Sequence, residues 1–149
     1  YLDGERTPDV PSATGSLHGL TRSNMTPPML ARAAVEGMIC GLSDAVDALI
    51  AAGVKRRRVI LIGGAAASPA VRHVAAALFG GEVVVPAPAE YVAVGAARQA
   101  AWGLGGGDAP PAWELAGTDV VSAEATPAVR TAFHAARSAA FPDLANAGI

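Results

Sequence analysis

The sequence predicts an α/β domain built in the order helix–strand–helix–strand–helix. Three observations carry this. A hydroxyl residue stands before a proline at Thr26 and Pro27, at Ser68 and Pro69, and at Thr126 and Pro127, and apolar residues at helical spacing follow each pair. Two short aliphatic runs, 59–62 and 83–85, lie between those segments. The chain is 52% hydrophobic but only 5% aromatic, which suits alanine-rich helices packed closely on a sheet better than a thick β-sandwich.

Each hydroxyl is expected to cap its helix by accepting a bond from an N–H that the first turn leaves free, and proline suits the first helical position because it has no N–H to lose. The first helix is expected over 27–52, with Leu30, Ala34, Met38, Leu42, Ala45 and Leu49 as its inward stripe. Arg32 and Glu36 stand four apart, suited to an outer ion pair. Met38, Ile39 and Cys40 make its middle apolar nearly all round, which predicts deep burial, and Gly53 suits a C-terminal stop. The run 59–62 has no polar alternation, so it reads as a strand covered on both faces, as in a parallel sheet.

A second helix over 69–79 turns Val71, Val74, Ala75 and Leu78 inward and stops at Gly80 and Gly81. Residues 83–85 form the second strand, ended by Pro86 and Pro88, and its pairing with 59–62 is the right-handed β-α-β crossover. A third helix over 90–102 centres on Gly95, Ala96 and Ala97, small residues that admit another backbone. Residues 103–126, with "GLGGGDAPP" among them, read as a flexible loop. A last helix over 127–140 sets Val129, Phe133 and Ala136 on one side.

The formal net charge of −2 gives no basic surface for nucleic acid. A single cysteine, Cys40, builds no disulfide framework, and a reducing, cytoplasmic setting is the expectation. No apolar run reaches the ~18 residues of a membrane span, and the opening residues do not read as a signal peptide. The chain starts at Tyr1 without a methionine and reads as part of something longer.

The chemistry concentrates in "VILIGGAAASP", residues 59–69. A strand runs into Gly63 and Gly64, three alanines follow, and Ser68 precedes the next helix. Free N–H groups and the dipole at such a helix start attract phosphate, and glycines let a ligand lie against the main chain. No Lys followed by Ser or Thr comes after the glycines, so this is no P-loop, and no third glycine completes a dinucleotide fingerprint. A tight turn that binds nothing fits the same residues, and local physics does not decide between the two.

A wider pattern does. "YLDGERTPD", "ATGSLHGLT", "ARAAVEGMICGL" and "VILIGGAAASPAVRHVAAALFGGEVVVPAPAEYVAVGAARQAAWG" resemble, in order and spacing, the FGGY carbohydrate kinases, most closely the xylulokinases. The resemblance covers 1–102 strongly, and the ending through Phe141, Pro142, Asp143 and Leu144 looks like that family's C-terminal helix. It implies a fold of two actin-like, RNase H-like halves, with residues 1–149 as the C-terminal portion of the second, ATP-side half. It implies ATP and Mg²⁺ as cofactors, with transfer of the γ-phosphoryl group to the 5-hydroxyl of D-xylulose. Gly63, Gly64 and Ala65 match the loop that contacts the nucleotide, and Ser68 stands where relatives often place an Asn or Ser that touches it.

The resemblance also implies what this chain lacks. The family's catalytic Asp lies upstream, and the sugar pocket and first phosphate loop lie in the other half. No catalytic or metal-binding residue is therefore assigned here, and the isolated chain is expected to be inactive. ATP or ADP is the expected direct ligand and D-xylulose is reached through the missing half; nucleic acid and membrane are excluded, and there is room for a homodimer. Rival readings are a kinase for gluconate, ribulose or glycerol, a non-catalytic actin-like nucleotide-binding or interaction module, and a scaffold whose glycine turn binds nothing.

Other groupings carry plainer readings. Asp44 and Asp47 on the first helix, and Asp3, Glu5 and Asp9 near the start, read as solvated carboxylates rather than metal ligands. Glu5 and Arg6 read as a loop-fixing pair. His18, His73 and His134 have no metal-ligand spacing. Cys40 reads as a small core residue, and the basic run 55–58 as a solvated turn. Tyr91, Trp102 and Trp113 are candidates for stacking on adenine, with packing the simpler account.

Overall fold

The computed structural model describes residues 1–6, 8–114 and 117–142. Along the chain lie β1 (Asp3–Glu5), β2 (Val10–Thr14), α1 (Pro27–Ala51), α2 (Pro69–Phe79), β3 (Glu82–Pro86), α3 (Tyr91–Gly105), β4 (Thr118–Ser122) and α4 (Pro127–Ala140). A 3₁₀ turn, Gly64–Ala67, leads into α2.

The three proline-started helices form as expected, with proline in the first turn of α1, α2 and α4. The hydroxyls of Thr26, Ser68 and Thr126 make no capping bond, contrary to the sequence reading. Non-helical backbone at these residues followed by proline marks the start without the side chain. Gly53, at φ +93°, follows the end of α1, and Gly80, in the left-handed region at φ +77°, ends α2.

In α1 the inward stripe differs from the expected one. Ile39, Cys40 and Ser43 are buried, with Val35 and Val46 packed against them. Met38, Leu42 and Leu49 are 47%, 51% and 56% exposed. A helix apolar nearly all round offers two equally periodic stripes, and contact with α2 and α4 selects the one carrying the small residues Cys40 and Ser43. Arg32 pairs with Glu36 at 2.7 Å, as expected. In α2, Val71, Ala75 and Leu78 are buried and Val74 packs on the core, and Val129 and Phe133 of α4 join the same cluster.

The core sheet centres on β3. Its Val83 and Val85 are 0% and 3% exposed beneath the helices. On one edge β4 runs antiparallel, pairing Val83 with Val121 and Val84 with Val120. On the other edge Ile60 makes a parallel bridge to Val84, closed by bonds of 2.9 Å from the Val84 N–H to the Val59 carbonyl and from the Leu61 N–H to the Val84 carbonyl. The expected parallel pairing is present. The expected cover on both faces is not: Val59 and Leu61 face the core, whereas Ile60 and Ile62 are 37% and 46% exposed. Among the described residues this segment pairs with β3 alone, and the face holding Ile60, Ile62 and Val120 has no layer over it.

Two elements lie where the sequence analysis put loop. β4 falls inside 103–126, and α3 runs to Gly105. The signal for β4 was the β-branched pair Val120 and Val121, hidden by the Gly and Pro around it. The β1–β2 hairpin opens the chain, and Gly4 sits there at φ +84° with space for a Cβ only 2.6 Å from the Pro11 carbonyl oxygen, so glycine alone fits. Gly95 meets no neighbour within 4 Å among the described residues, and no residue of α3 is buried, so the expected close approach there is absent. Instead α3 is braced by its own following loop. Arg98 Nε donates to the Pro111 carbonyl at 2.6 Å and Trp102 Nε1 to the Gly107 carbonyl at 2.8 Å.

Charge joins α4 to α1. The Asp44 carboxylate, 20% exposed, accepts from Arg137 Nη1 at 2.6 Å, meets His134 Nε2 at 2.7 Å and Arg130 Nη2 at 3.4 Å. Arg130 also pairs with Asp47, and that carboxylate, with Asp44 behind it, raises the guanidinium pKa against the opposing effect of burial. The expected solvated face of Asp44 and Asp47 is therefore a helix–helix contact, supplied with cations from a helix more than eighty residues away in sequence. No described helix is long and apolar enough to cross a membrane.

The exchanged stripe gives a test. Ile39→Ala should destabilise the chain by about 2–5 kcal/mol, and Met38→Ala by no more than about 0.5 kcal/mol, in urea unfolding followed by circular dichroism.

Candidate functional site

The parallel bridge sets the end of the first strand, and at Gly63 the chain turns sharply. Gly63 has φ +95° and ψ 172°, a conformation that side chains disfavour. Its carbonyl accepts from the Ala66 N–H at 3.0 Å, the Ala65 carbonyl accepts from the Ser68 N–H at 3.1 Å, and α2 begins. The turn is thus a short 3₁₀ piece between strand and helix.

Facing it is the connection from β3 to α3. Between them lies a hollow of about 370 Å³, with Gly63, Gly64 and Ala67 on one wall and Pro86, Glu90 and Tyr91 on the other. A Cβ on Gly63 or Gly64 would meet nothing within 4 Å among the described residues, so both face open space. Arg72 supplies the one cation and Glu90 the one anion among the lining residues. Tyr91 is fixed by donating its hydroxyl hydrogen to the Ala87 carbonyl. A bare main chain and one guanidinium suit an anionic ligand. Among the described residues no three acidic, histidine or cysteine side chains converge as metal ligands.

Of the residues singled out from sequence, Gly63 and Gly64 line this hollow; Ala65 and Ser68 belong to the same turn but are not among its lining residues. Tyr91 stands at it, whereas Trp102 is held by the Gly107 carbonyl and Trp113 is 46% exposed. Arg72 and Glu90 were missed. The signal for Arg72 was a charged residue in the first turns of a mostly apolar helix, and the Asp119 that meets it at 3.3 Å lies forty-seven residues later.

The remaining candidates lie elsewhere. The 55–58 run is exposed, with Arg56 Nη1 donating to the Phe79 carbonyl at 3.1 Å at the end of α2. The Glu5 carboxylate accepts from the Arg6 N–H at 2.8 Å. Asp3, Glu5 and Asp9 border a shallow hollow at the hairpin. His18 bonds Ser16 at 2.9 Å and His134 is in the Asp44 cluster. A second hollow of about 340 Å³ lies between the hairpin, α1 and α4, lined by Leu17, His18, Glu36, Cys40, Phe133 and Arg137 among others. Burial pushes the Cys40 thiol up to about 11, with the Asp44 carboxylate adding to the effect.

Residues 1–104 match the FGGY family of carbohydrate kinases, C-terminal domain. The chain belongs to the FGGY family of carbohydrate kinases. It is 41% identical over 128 residues to the xylulose kinase of Streptomyces rubiginosus, an alignment covering 83% of this chain and 26% of that protein. It is 37% identical over 109 residues to the glycerol kinase of Alkalilimnicola ehrlichii, covering 72% of this chain and 22% of that one. Its fold matches the crystal structure of xylulose kinase from Bifidobacterium adolescentis with a TM-score of 0.77 at 48% identity, over 92% of this chain and 27% of that one. This FGGY chain therefore spans about a quarter of the length of the relatives it matches. Its fold is part of an actin-like, RNase H-like ATPase domain, in which the glycine turn of this family member is the strand-to-helix junction described above.

Two predictions follow from the geometry. Gly63→Ala should cost about 1–3 kcal/mol because its φ and ψ lie in a region that only glycine readily adopts, while Gly64→Ala changes stability by less than about 0.5 kcal/mol, both read from denaturant midpoints. For Cys40, an unfolded thiol ionises near its ordinary 9.0 and the folded one near 11, so the unfolded state sheds its proton first. The stability this group contributes is complete below pH 9 and is lost between about pH 9 and 11, a loss absent from Cys40→Ala.

Proposed function

We propose that this chain is the ATP-side, C-terminal quarter of a xylulose kinase. In this reading the whole enzyme moves the γ-phosphoryl group of ATP to the 5-hydroxyl of D-xylulose, giving D-xylulose 5-phosphate and ADP. The observation that carries it is the hollow in which Gly63 and Gly64 present bare main chain beside Arg72, in a chain similar to xylulose kinases over most of its length.

The residues fit a nucleotide's anionic end. Gly63 and Gly64 leave room for phosphates against the backbone, and the guanidinium of Arg72 offsets negative charge. Ala65 and Ser68 complete the nucleotide-binding turn in this proposal, Ala65 by leaving the approach clear and Ser68 by offering its hydroxyl. In this proposal Mg²⁺ accompanies the nucleotide. In this proposal the base that deprotonates the sugar hydroxyl is the family's upstream Asp, outside this chain, and the whole enzyme brings it together with metal and nucleotide. The working compartment proposed is the cytoplasm, and a homodimer is compatible with the surfaces left open. A second reading, a kinase acting on glycerol, is favoured by the similarity to the Alkalilimnicola ehrlichii protein.

The kinase-length protein carrying this chain should turn over D-xylulose with ATP, and the chain alone should not. Preference for glycerol in the same assay would overturn the sugar assignment. In that protein Gly64→Val should raise KM for ATP at least tenfold while KM for D-xylulose moves by less than about twofold. Equal rises for both would show a folding defect rather than an obstructed nucleotide site.

A further inference from the structure

The glycine turn is held from outside by a residue that the family match does not assign. Arg72 lies one turn into α2, with its side chain 23% exposed. Its Nε donates to the carbonyl of Ala66, in the middle of the 3₁₀ turn. Its Nη1 donates to the Asp119 carboxylate on β4 at 3.3 Å. The Ala66 peptide is therefore gripped on both sides, because its N–H already donates to the Gly63 carbonyl at 3.0 Å. Ala66 is 6% exposed, so its carbonyl has little access to water and depends on the guanidinium. Asp119 sits opposite Val85 of β3, and Val85 lines the same hollow as Gly63, Gly64 and Arg72. One planar side chain thus connects the turn, the helix that follows it and the outer strand of the sheet.

We propose that Arg72 is the positioning residue of the nucleotide site, locking the Gly63–Gly64 turn through the Ala66 carbonyl while Asp119 holds the guanidinium in place. This rests on the nucleotide reading of the preceding section. The role needs a fork. Lysine has the charge but cannot donate to Ala66 and Asp119 in the same fixed plane. Loss of the lock leaves the glycines free to sample other turn shapes, which costs affinity for the phosphates and leaves the sugar untouched.

The test uses amide NMR of this chain and kinetics of the kinase-length protein, with Arg72→Lys, Arg72→Gln and Asp119→Asn. Unchanged resonances from the β1–β2 hairpin and α4 certify that each variant is folded. Unaltered chain titrated with millimolar ADP should shift the amides of Gly63 and Gly64, and unaltered kinase-length protein should be saturable by ATP. If neither occurs, the nucleotide reading fails and the proposal falls with it. If they do, the variants decide the role of Arg72. Without ligand, both Arg72 substitutions should shift the Gly63, Gly64 and Ala66 amides and speed hydrogen exchange at the Ala66 N–H about tenfold, with Asp119→Asn giving a smaller change. In the kinase-length protein both should raise KM for ATP about tenfold, with KM for D-xylulose unchanged and kcat within about threefold. Turn amides that stay in place, or a shifted turn with an unchanged KM for ATP, would overturn the proposal. So would full rescue by Arg72→Lys, since charge alone would then suffice.

Discussion

Two hydrogen bonds made by one residue decide where the glycine turn of this chain lies. The Val84 N–H and carbonyl both go to the segment around Ile60, and they are the only regular pairing that segment makes among the described residues. They stop just before Gly63, so the turn emerges over the edge of β3 rather than over the helices. Val83 and Val85, on either side of Val84, are driven the other way, into the core under α2. The alternation of a single strand therefore does two jobs: its buried residues fasten the helices, and its backbone sets the register of the glycine turn.

The opposing wall depends on the same strand. β3 ends at Pro86, where the chain leaves the sheet toward α3, and the residues just after it close the hollow. Both walls therefore hang from β3, one through the Ile60 bridge and the other through the chain that leaves the sheet at Pro86. The proposed nucleotide site in this family member is thus placed by backbone pairing first. The charged side chains that line the hollow, Arg72 and Glu90, stand on elements already in position.

Much of this was legible in the sequence wherever a local rule suffices. Proline after a hydroxyl residue located three helix starts, Gly53 and Gly80 marked two ends, and the apolar run into Gly63 and Gly64 located the turn. What stayed hidden depends on partners distant in the chain. Which stripe of α1 is buried could not be read, because Leu42 and Ser43 are both acceptable inward until α2 and α4 choose between them. The strand β4 was lost because Val120 and Val121 are a short signal among breakers and acquire meaning only opposite β3. Arg72 looked like an ordinary surface charge until the fold brought Asp119 beside it. The expected cover over Ile60 and Ile62 failed for a related reason: the composition of the run predicts a buried strand, but burial is a property of everything packed around it.

The cluster at Asp44 has an unequal architecture. One carboxylate answers Arg130, His134 and Arg137, and Arg130 also meets Asp47. Loss of either arginine of α4 is therefore buffered, because the other remains beside the acid. Loss of Asp44 is not, for it would take from two guanidiniums the carboxylate they share at the seam between two helices. Sequence variation along this seam should accordingly be lopsided, permissive on the fourth helix and strict at a single site on the first.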